Sequence, residues 1–146
     1  MKRLLFKLKL RIKTLFVLLC LILPAIAQEP QNNLGKSLEQ LKVIFPEIKY
    51  WAESSEGTMY KYGDEMVFII KGDRLVSETL YVEGDGNYPH DWFLATAKAF
   101  LKTNYIHKFG DEKSIIFIYS YFQVHLMYSS YNNSASISYN YLSKYR

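Results

Sequence analysis

The histidines are the residues of this sequence with the clearest potential for acid–base or metal chemistry. They are His90, His107 and His125, and no two of them are spaced i,i+4 on a helix or i,i+2 on a strand. Local spacing of that kind places two imidazoles on one metal ion, so the pattern predicts no metal site. His90 is followed by Asp91, and this pair could supply a general base and its carboxylate in a small hydrolase.

An acidic segment beside this pair resembles a calcium-binding loop. Glu83, Asp85 and Asn87 match the first three oxygen ligands of such a loop. The pattern then requires Gly at position 88 and Glu at position 94, whereas the sequence has Tyr88 and Leu94. The segment is therefore interpreted as a solvated loop. No Gly-x-Ser-x-Gly elbow occurs either, so we predict no catalytic residue and no cofactor, with a two-carboxylate hydrolase as an alternative.

Tyrosine is the unusual feature of the composition. All 13 tyrosines follow residue 27, and seven of them lie within residues 119–145. Tyrosine suits half-buried strands, but it is also enriched at binding interfaces because it combines a large contact area with a polar tip. Both a core role and an exposed aromatic face are therefore considered. The candidate binding residues are Tyr119, Tyr121, Tyr128, Tyr139 and Tyr141 in the sheet, with Tyr88 and His90 in a loop as the second location.

Residues 1–27 have the pattern of a cleavable secretory signal peptide. Six Lys and Arg residues and no acid open the chain, and an apolar run follows at residues 15–23. Ala25, Ile26 and Ala27 then provide the small-x-small motif of a cleavage site. This order predicts export to the periplasm or the extracellular space.

Three alternatives to cleavage and release are weaker. A retained membrane anchor needs about 20 apolar residues, whereas the apolar stretch 15–27 has 13 and contains Pro24. A lipoprotein signal requires a small residue before its cysteine, and Leu19 precedes Cys20. A mitochondrial presequence would be basic and free of acids, as here, but would lack the dense apolar run.

Removal of the signal peptide changes the charge and the redox chemistry of the protein. The remaining 119 residues, 28–146, hold 12 basic and 14 acidic residues, which gives a net charge of −2. The basic character of the whole chain therefore does not predict nucleic-acid binding. Cys20 is the only cysteine, so the exported part can form no disulfide and no thiolate metal site. Its length suits one domain with one core.

Hydrophobic periodicity predicts the elements of this domain. Ser37 with Gln40 fits a capping box at a helix start, and Pro46 ends that helix. Asp91 is the predicted cap of a second helix. The predicted elements are a loose segment at 28–34, a helix at 37–45, strands at 48–52, 59–62, 65–71 and 75–83, a loop at 83–90, a helix at 92–104, a turn at 109–112, and strands at 114–119, 123–129 and 136–142.

This order predicts an α+β fold: a two-layer domain whose mainly antiparallel sheet has two helices packed on one face. The connections are too short for parallel crossovers, which favours antiparallel pairing. In the strand at 75–83, the better core face is the set Val76, Glu78, Leu80 and Val82. Helix followed by strands occurs twice, which suggests a duplicated unit, although no residue-by-residue repeat is visible.

The function that these observations favour is a small exported binding module. Its partner is expected to be a protein, or alternatively a glycan, bound through a tyrosine-rich face of the sheet. After cleavage it would have no membrane span. A small secreted hydrolase and a structural component of the cell envelope are the alternatives: the first requires a pocket, the second a large apolar face for self-association.

Overall fold

The computed structural model describes residue 30 and residues 32–142. The signal peptide predicted at 1–27 lies outside the described residues, as do residue 31 and residues 143–146. None of the described helices is long and apolar enough to cross a membrane.

The described chain forms two helices and one eight-stranded sheet. Along the sheet the strands lie in the order β1-β2-β3-β4-β8-β7-β6-β5. Every neighbouring pair is antiparallel, which confirms the prediction of an α+β domain with an antiparallel sheet. The elements are α1 (Leu38–Ile44), β1 (Lys49–Ser54), β2 (Gly57–Tyr62), β3 (Met66–Lys71), β4 (Arg74–Glu83), α2 (Tyr88–Phe100), β5 (His107–Gly110), β6 (Ser114–Ile118), β7 (Phe122–Ser129) and β8 (Ser134–Tyr141).

The chain is organised as two halves that share one order of elements, a helix followed by four antiparallel strands. The halves meet where their last strands, β4 and β8, pair, so that β1 and β5 form the outer edges. The sequence predicts about three strands in the second half, whereas the structure has four. The strand that was missed is β5, which lies partly where a turn is predicted. The turn begins one residue after Gly110, at Asp111, whose carboxylate accepts hydrogen bonds from the backbone of Lys113 and Ser114.

Helix α1 begins and ends where its sequence predicts. The Ser37 hydroxyl accepts a hydrogen bond from the Gln40 backbone, and the Gln40 side chain accepts one from the Ser37 backbone. This capping box satisfies two of the N–H groups that a helix start leaves without partners. The helix stops before Pro46 and buries Leu41 completely.

Helix α2 begins four residues before the predicted start at Trp92, so Asp91 is not its cap. Tyr88 is its first residue, and Pro89 lies in its first turn, where a missing N–H costs nothing and the fixed φ suits a helix. Asp91 is therefore inside the first turn, and the predicted loop at 83–90 is correspondingly shorter. The helix ends at Phe100, four residues before the predicted end at 104, and Leu101 is its C-cap residue. Just beyond it, the Thr103 hydroxyl and backbone N–H both donate to the Phe100 carbonyl.

The register of the ladders places one row of residues across all eight strands. Directly opposite residues in an antiparallel pair project to the same face of the sheet. Following the pairs from β1 to β5 in sheet order, this row is Tyr50, Tyr60, Phe68, Glu78, Tyr139, Val124, Phe117 and Lys108.

Two clusters of buried side chains form the core, one around each helix. The first core cluster consists of Leu41 from α1 with Ile48, Phe68, Ile70 and Leu75. The second core cluster consists of Phe93, Ala97 and Phe100 from α2 with Phe117, Tyr119, Phe122, Val124, Leu126, Ala135 and Ile137.

A bulge modifies the predicted core face of β4. The register of β3 with β4 shifts between Ile69 and Ile70, so that Ile70 lies opposite Leu75. The one-residue offset turns Leu75 into the core, although the alternation in the sequence places it on the other face. Beyond the bulge the predicted alternation holds, and Glu78 is 5% exposed.

The segment before α1 is held against the middle of the sheet, which corrects the prediction that it is loose up to residue 34. Leu34 packs against both core clusters. The Gly35 N–H donates to the Leu75 carbonyl at 2.9 Å, and the Leu75 N–H donates to the Lys36 carbonyl at 2.8 Å. Gly35 has a φ of 84°, and its α-carbon faces the hydroxyl of Tyr141. We call residues 32–36 the strap.

Candidate binding face

The tyrosines of β7 and β8 project toward α2. Tyr139 lies in the row that contains Val124 and Phe117, and its ring is 6.4 Å from that of Phe100. Burial, and to a lesser extent the charge of Glu78, raises the pKa of the Tyr139 hydroxyl well above its ordinary value. Tyr128 lies on the same side, with its ring centroid 4.8 Å from that of His90.

Tyr119 belongs to the core as well. It is 1% exposed, stacks on Phe122 at 4.6 Å, and shares a hydrogen bond with the hydroxyl of Thr103. Tyr121 is 38% exposed and lies 6.1 Å from Tyr141 at one end of the sheet. The five sheet tyrosines therefore do not form an exposed stripe. Strand alternation places Tyr139 and Tyr141 on one face of β8, and the pairing of β7 with β8 brings Tyr128 to the same face. That face is the one that packs under α2.

The second predicted location lies in the first turn of α2. Tyr88 is 59% exposed and packs beside Gly84, while His90 is half-buried against Tyr128. Adjacent helical residues do not face each other, so this placement gives no base–carboxylate pair of His90 with Asp91. In the described residues, no group of three or more His, Cys, Asp or Glu side chains could hold a metal ion.

The other face of the sheet carries the features that the predicted sites lack. We call it the open face, because none of the described residues in the two core clusters lies on it. Its side chains come from the alternate strand positions: Lys49, Met59, Lys61, Val67, Ile69, Lys71, Arg74, Ser77, Thr79, Tyr81 and Glu83 in the first half, and His107, Phe109, Ser114, Ile116, Ile118, Gln123, His125, Met127, Ser129, Ser134, Ser136, Ser138 and Asn140 in the second.

Short polar side chains occupy the middle of the open face and are tied to one another across the strands. The hydroxyls of Thr79 and Ser138 are 2.9 Å apart, and Ser77 donates to the Asn140 side chain at 2.7 Å. These bonds join β4 to β8 and hold the four side chains in fixed rotamers. In the sequence of β8, Ser136, Ser138 and Asn140 alternate with apolar and aromatic residues. This alternation indicates that one side of the strand is polar, and it is the feature of the sequence from which the open face could be predicted.

His125 lies in the same polar region. Its Nε2 is 2.8 Å from the Ser114 hydroxyl on β6. Partial burial lowers the pKa of His125 below its ordinary value of 6.5, so the neutral ring is favoured.

Large apolar and aromatic side chains flank this polar middle on both sides. Val67 and Ile69 are half-buried on β3, and Ile116 and Ile118 mirror them on β6. Four large apolar or aromatic side chains are more exposed. Trp51 at 47% and Phe109 at 57% lie on the two edge strands, and Tyr81 at 44% and Met127 at 47% lie on β4 and β7.

Trp51 joins the open face through a bulge in β1. The register shift between Tyr50 and Ala52 releases it from the alternation. The Lys61 ammonium lies 4.2 Å above the centroid of the Trp51 ring, a cation–π contact on the open side. A shallow depression of about 370 Å³ lies here, lined by Glu47, Lys49, Tyr50, Trp51, Lys61, Gly63 and Asp64.

The arrangement therefore offers contact area, fixed polar groups and a few aromatic anchors rather than an enclosed reaction chamber. Comparison of the chain with protein-family models, with curated proteins and with solved structures found no match.

Proposed function

We propose that this chain is an exported binding module that holds a folded protein partner on its open face. The observation that carries the proposal is that one whole face of an eight-stranded sheet lies outside both core clusters. That face nevertheless presents Trp51, Tyr81, Phe109 and Met127 to solvent. Aromatic side chains and methionine are enriched at the interaction sites of proteins.

The proposal requires that both helices cover the opposite face, as the sequence predicts. Phe68 shares the first core cluster with Leu41 of α1, and Val124 shares the second with Phe93 of α2. Phe68 and Val124 belong to one cross-strand row, which supports a layout with both helices on one side.

The size of the open face suits a protein rather than a small ligand. With strands about 4.8 Å apart and about 3.3 Å per residue, eight strands of four to ten residues span a face of about 800 Å². A standard protein–protein interface buries about 800 Å² on each partner. The depression beside Trp51 lies along one edge of the sheet and covers only a small part of this face.

The other functions considered have less support. A glycan-binding face would need stacked exposed aromatic rings, and most of the predicted tyrosines pack under α2 instead. A hydrolase would need His90 to face a carboxylate, and its ring packs on Tyr128. An envelope component that self-associates would favour a uniformly apolar face, whereas the middle of the open face is a band of serine, threonine, asparagine and histidine.

Photo-crosslinking in the native host tests the proposal. A photoreactive residue replaces Ser136 on the open face, and in a matched control it replaces Lys98 on the exposed side of α2. We expect a discrete protein adduct from position 136 and none from position 98, because only the first position would be covered by the partner. Adducts of equal yield from both positions, or none from position 136, would contradict the proposal.

A further inference from the structure

The charges of the open face are confined to one half of it. Four cations project from the first half: Lys49, Lys61, Lys71 and Arg74. Glu83, at the far end of β4, is the one acid among the open-face strand residues described above. The strands of the second half contribute no Lys, Arg, Asp or Glu to this face, only His107 and His125. The face is therefore locally basic, although the exported part of the chain carries a net charge of −2.

Two of these cations stand beside an aromatic ring. Lys49 and Lys61 are directly opposite each other on β1 and β2, and the Lys61 ammonium rests on the Trp51 ring. Glu47 and Asp64 border the same depression, yet within the described residues neither forms an ion pair with a lysine. Both ammonium groups thus keep hydrogen-bonding capacity for an incoming acceptor.

This combination has a specific chemical preference. A carboxylate that approaches Lys49 and Lys61 gains charge-assisted hydrogen bonds, and the Trp51 ring offers apolar contact to the methylene groups that carry the carboxylate. Trp is also among the residues that most often dominate the energy of an interface.

The charge pattern also argues against a second copy seated face to face. Such a dimer would bring the lysines either against those of the other copy or against the second half, whose strands place no acid on this face. The one open-face strand acid, Glu83, lies on β4, three strands from Lys49 on β1. Buried cations without a partner are costly.

We infer that the partner presents an acidic surface segment, rich in Asp or Glu, to Lys49 and Lys61 beside Trp51. This inference rests on the proposed function and names the chemistry of the partner at one corner of the open face.

Poly-L-glutamate serves as the probe, with fluorescence of Trp51 as the readout in a Trp92→Phe background that leaves a single tryptophan. We expect saturable binding that weakens as salt concentration rises. The double variant Lys49→Gln, Lys61→Gln should weaken binding by about tenfold or more, the equivalent of about 1.4 kcal/mol. The control Lys98→Gln, Lys102→Gln makes the same change of charge on α2 and just beyond its end, and should leave binding within about twofold.

Amide chemical shifts of the protein with both tryptophans provide a second readout, should Trp92→Phe disturb the fold. Poly-L-glutamate should shift the amides of β1 and β2. Equal loss of binding in the two double variants would overturn the inference by showing a response to net charge alone, as would shifts confined to the helices. A dimer in sedimentation that the lysine variant disperses would also overturn it, because a second copy would then be the occupant.

The two proposals fail separately. If position 136 crosslinks to a protein but poly-L-glutamate does not bind, the open face remains a binding face and only the acidic character of its partner is rejected. If neither position 136 nor the probe gives a signal, both proposals fall.

Discussion

Asn33 donates two hydrogen bonds to the carboxylate of Glu78, from its backbone N–H at 2.8 Å and from its side-chain amide at 2.9 Å. The two residues are 45 positions apart, and Glu78 lies on the helix side of β4, directly opposite Tyr139 of β8. Burial raises the pKa of Glu78, while the two bonds from Asn33 and the charge of Lys36 act in the opposite direction. The strap thus supplies the partners of an acid buried where the two halves meet.

Asn33→Ala should destabilise the domain, and more at neutral pH than in acid. The change removes one charge-assisted hydrogen bond to a buried carboxylate, a loss of about 1–3 kcal/mol in the free energy of unfolding at pH 7. The pKa of Glu78 is raised on folding, so its contribution favours the folded state most below its ordinary value of 4.5 and is lost as pH rises through the folded pKa. The variant raises that pKa further, so its loss in free energy of unfolding should be smaller near pH 4.5 than at pH 7. Urea unfolding at both pH values measures this.

Asn87→Ala is the control for the strap variant. Asn87 precedes α2 and makes no side-chain capping hydrogen bond, so the Asn87→Ala variant should lose little free energy of unfolding at either pH. A deficit of Asn33→Ala that is the same at both pH values would show that Glu78 is not charged in the folded protein at pH 7.

His125→Gln should flatten the dependence of stability on mildly acidic pH. Burial lowers the pKa of His125 in the folded protein, so the unfolded chain binds the proton more tightly. The contribution of His125 is therefore present above pH 6.5 and lost as pH falls through the folded pKa. Gln can keep the hydrogen bond to Ser114 without titrating. Thermal unfolding from pH 7.5 to 5 should show a smaller decline in melting temperature for this variant than for the original protein, and an equal decline would contradict this role of His125.

Tyr139→Ser should unfold the domain far more readily than Tyr81→Ser. The Tyr139 ring packs against Phe100 and Phe122, so truncation leaves a cavity at a cost of about 3–5 kcal/mol. Tyr81 is 44% exposed on the open face, and its change should stay within about 0.5 kcal/mol. Chemical denaturation of both variants compares the two faces. Equal stability would restore Tyr139 as a candidate for binding.

Gly35→Ala should destabilise the strap, and Tyr141→Phe should relieve part of the effect. Gly35 has a φ of 84°, which costs other residues about 1–3 kcal/mol. An added methyl would also come within 2.7 Å of the Tyr141 hydroxyl. A double-mutant cycle separates the two causes. A favourable coupling energy measures the clash with the Tyr141 hydroxyl, and the loss of stability that remains measures the cost of the positive φ. No coupling would mean that the strap moves away from Tyr141.

Export with cleavage predicts a defined mature terminus. N-terminal sequencing of the exported protein should begin at Gln28, after the Ala25-Ile26-Ala27 motif. A protein that still begins at Met1 and sediments with membranes would contradict release. The isolated segment 28–146 should also keep its melting temperature when a reductant is added, since it holds no cysteine.

The parts of the fold that the sequence predicts well are those decided by neighbouring residues. The capping box of Ser37 with Gln40 and the hairpin of β3 with β4 depend on contacts within a few positions. The sequence does not predict strand β5, because Gly110 and Asp111 favour a turn and the strand is only four residues long. Its pairing with β6 stabilises it, and that contact is not visible in its own residues.

The candidate site was harder to predict for a related reason. Alternation shows that Tyr139 and Ser138 face opposite ways, but not which of the two faces a helix covers. Aromatic content favoured the tyrosines for binding, whereas Phe93 and Phe100 of α2 draw them into the core. The role of Glu78 depends equally on a distant residue, Asn33, which local periodicity cannot show.

The strap also connects the two sides of the sheet mechanically. A sheet is a single layer of backbone, so a change in the angle between β4 and β8 bends both of its surfaces together. Leu34 and Asn33 lie behind this junction, where they contact both core clusters and Glu78. The strap is bonded to the backbone of β4 at Leu75, and the same strand carries Ser77 and Thr79 on the open face, so the two sides share one backbone at this point.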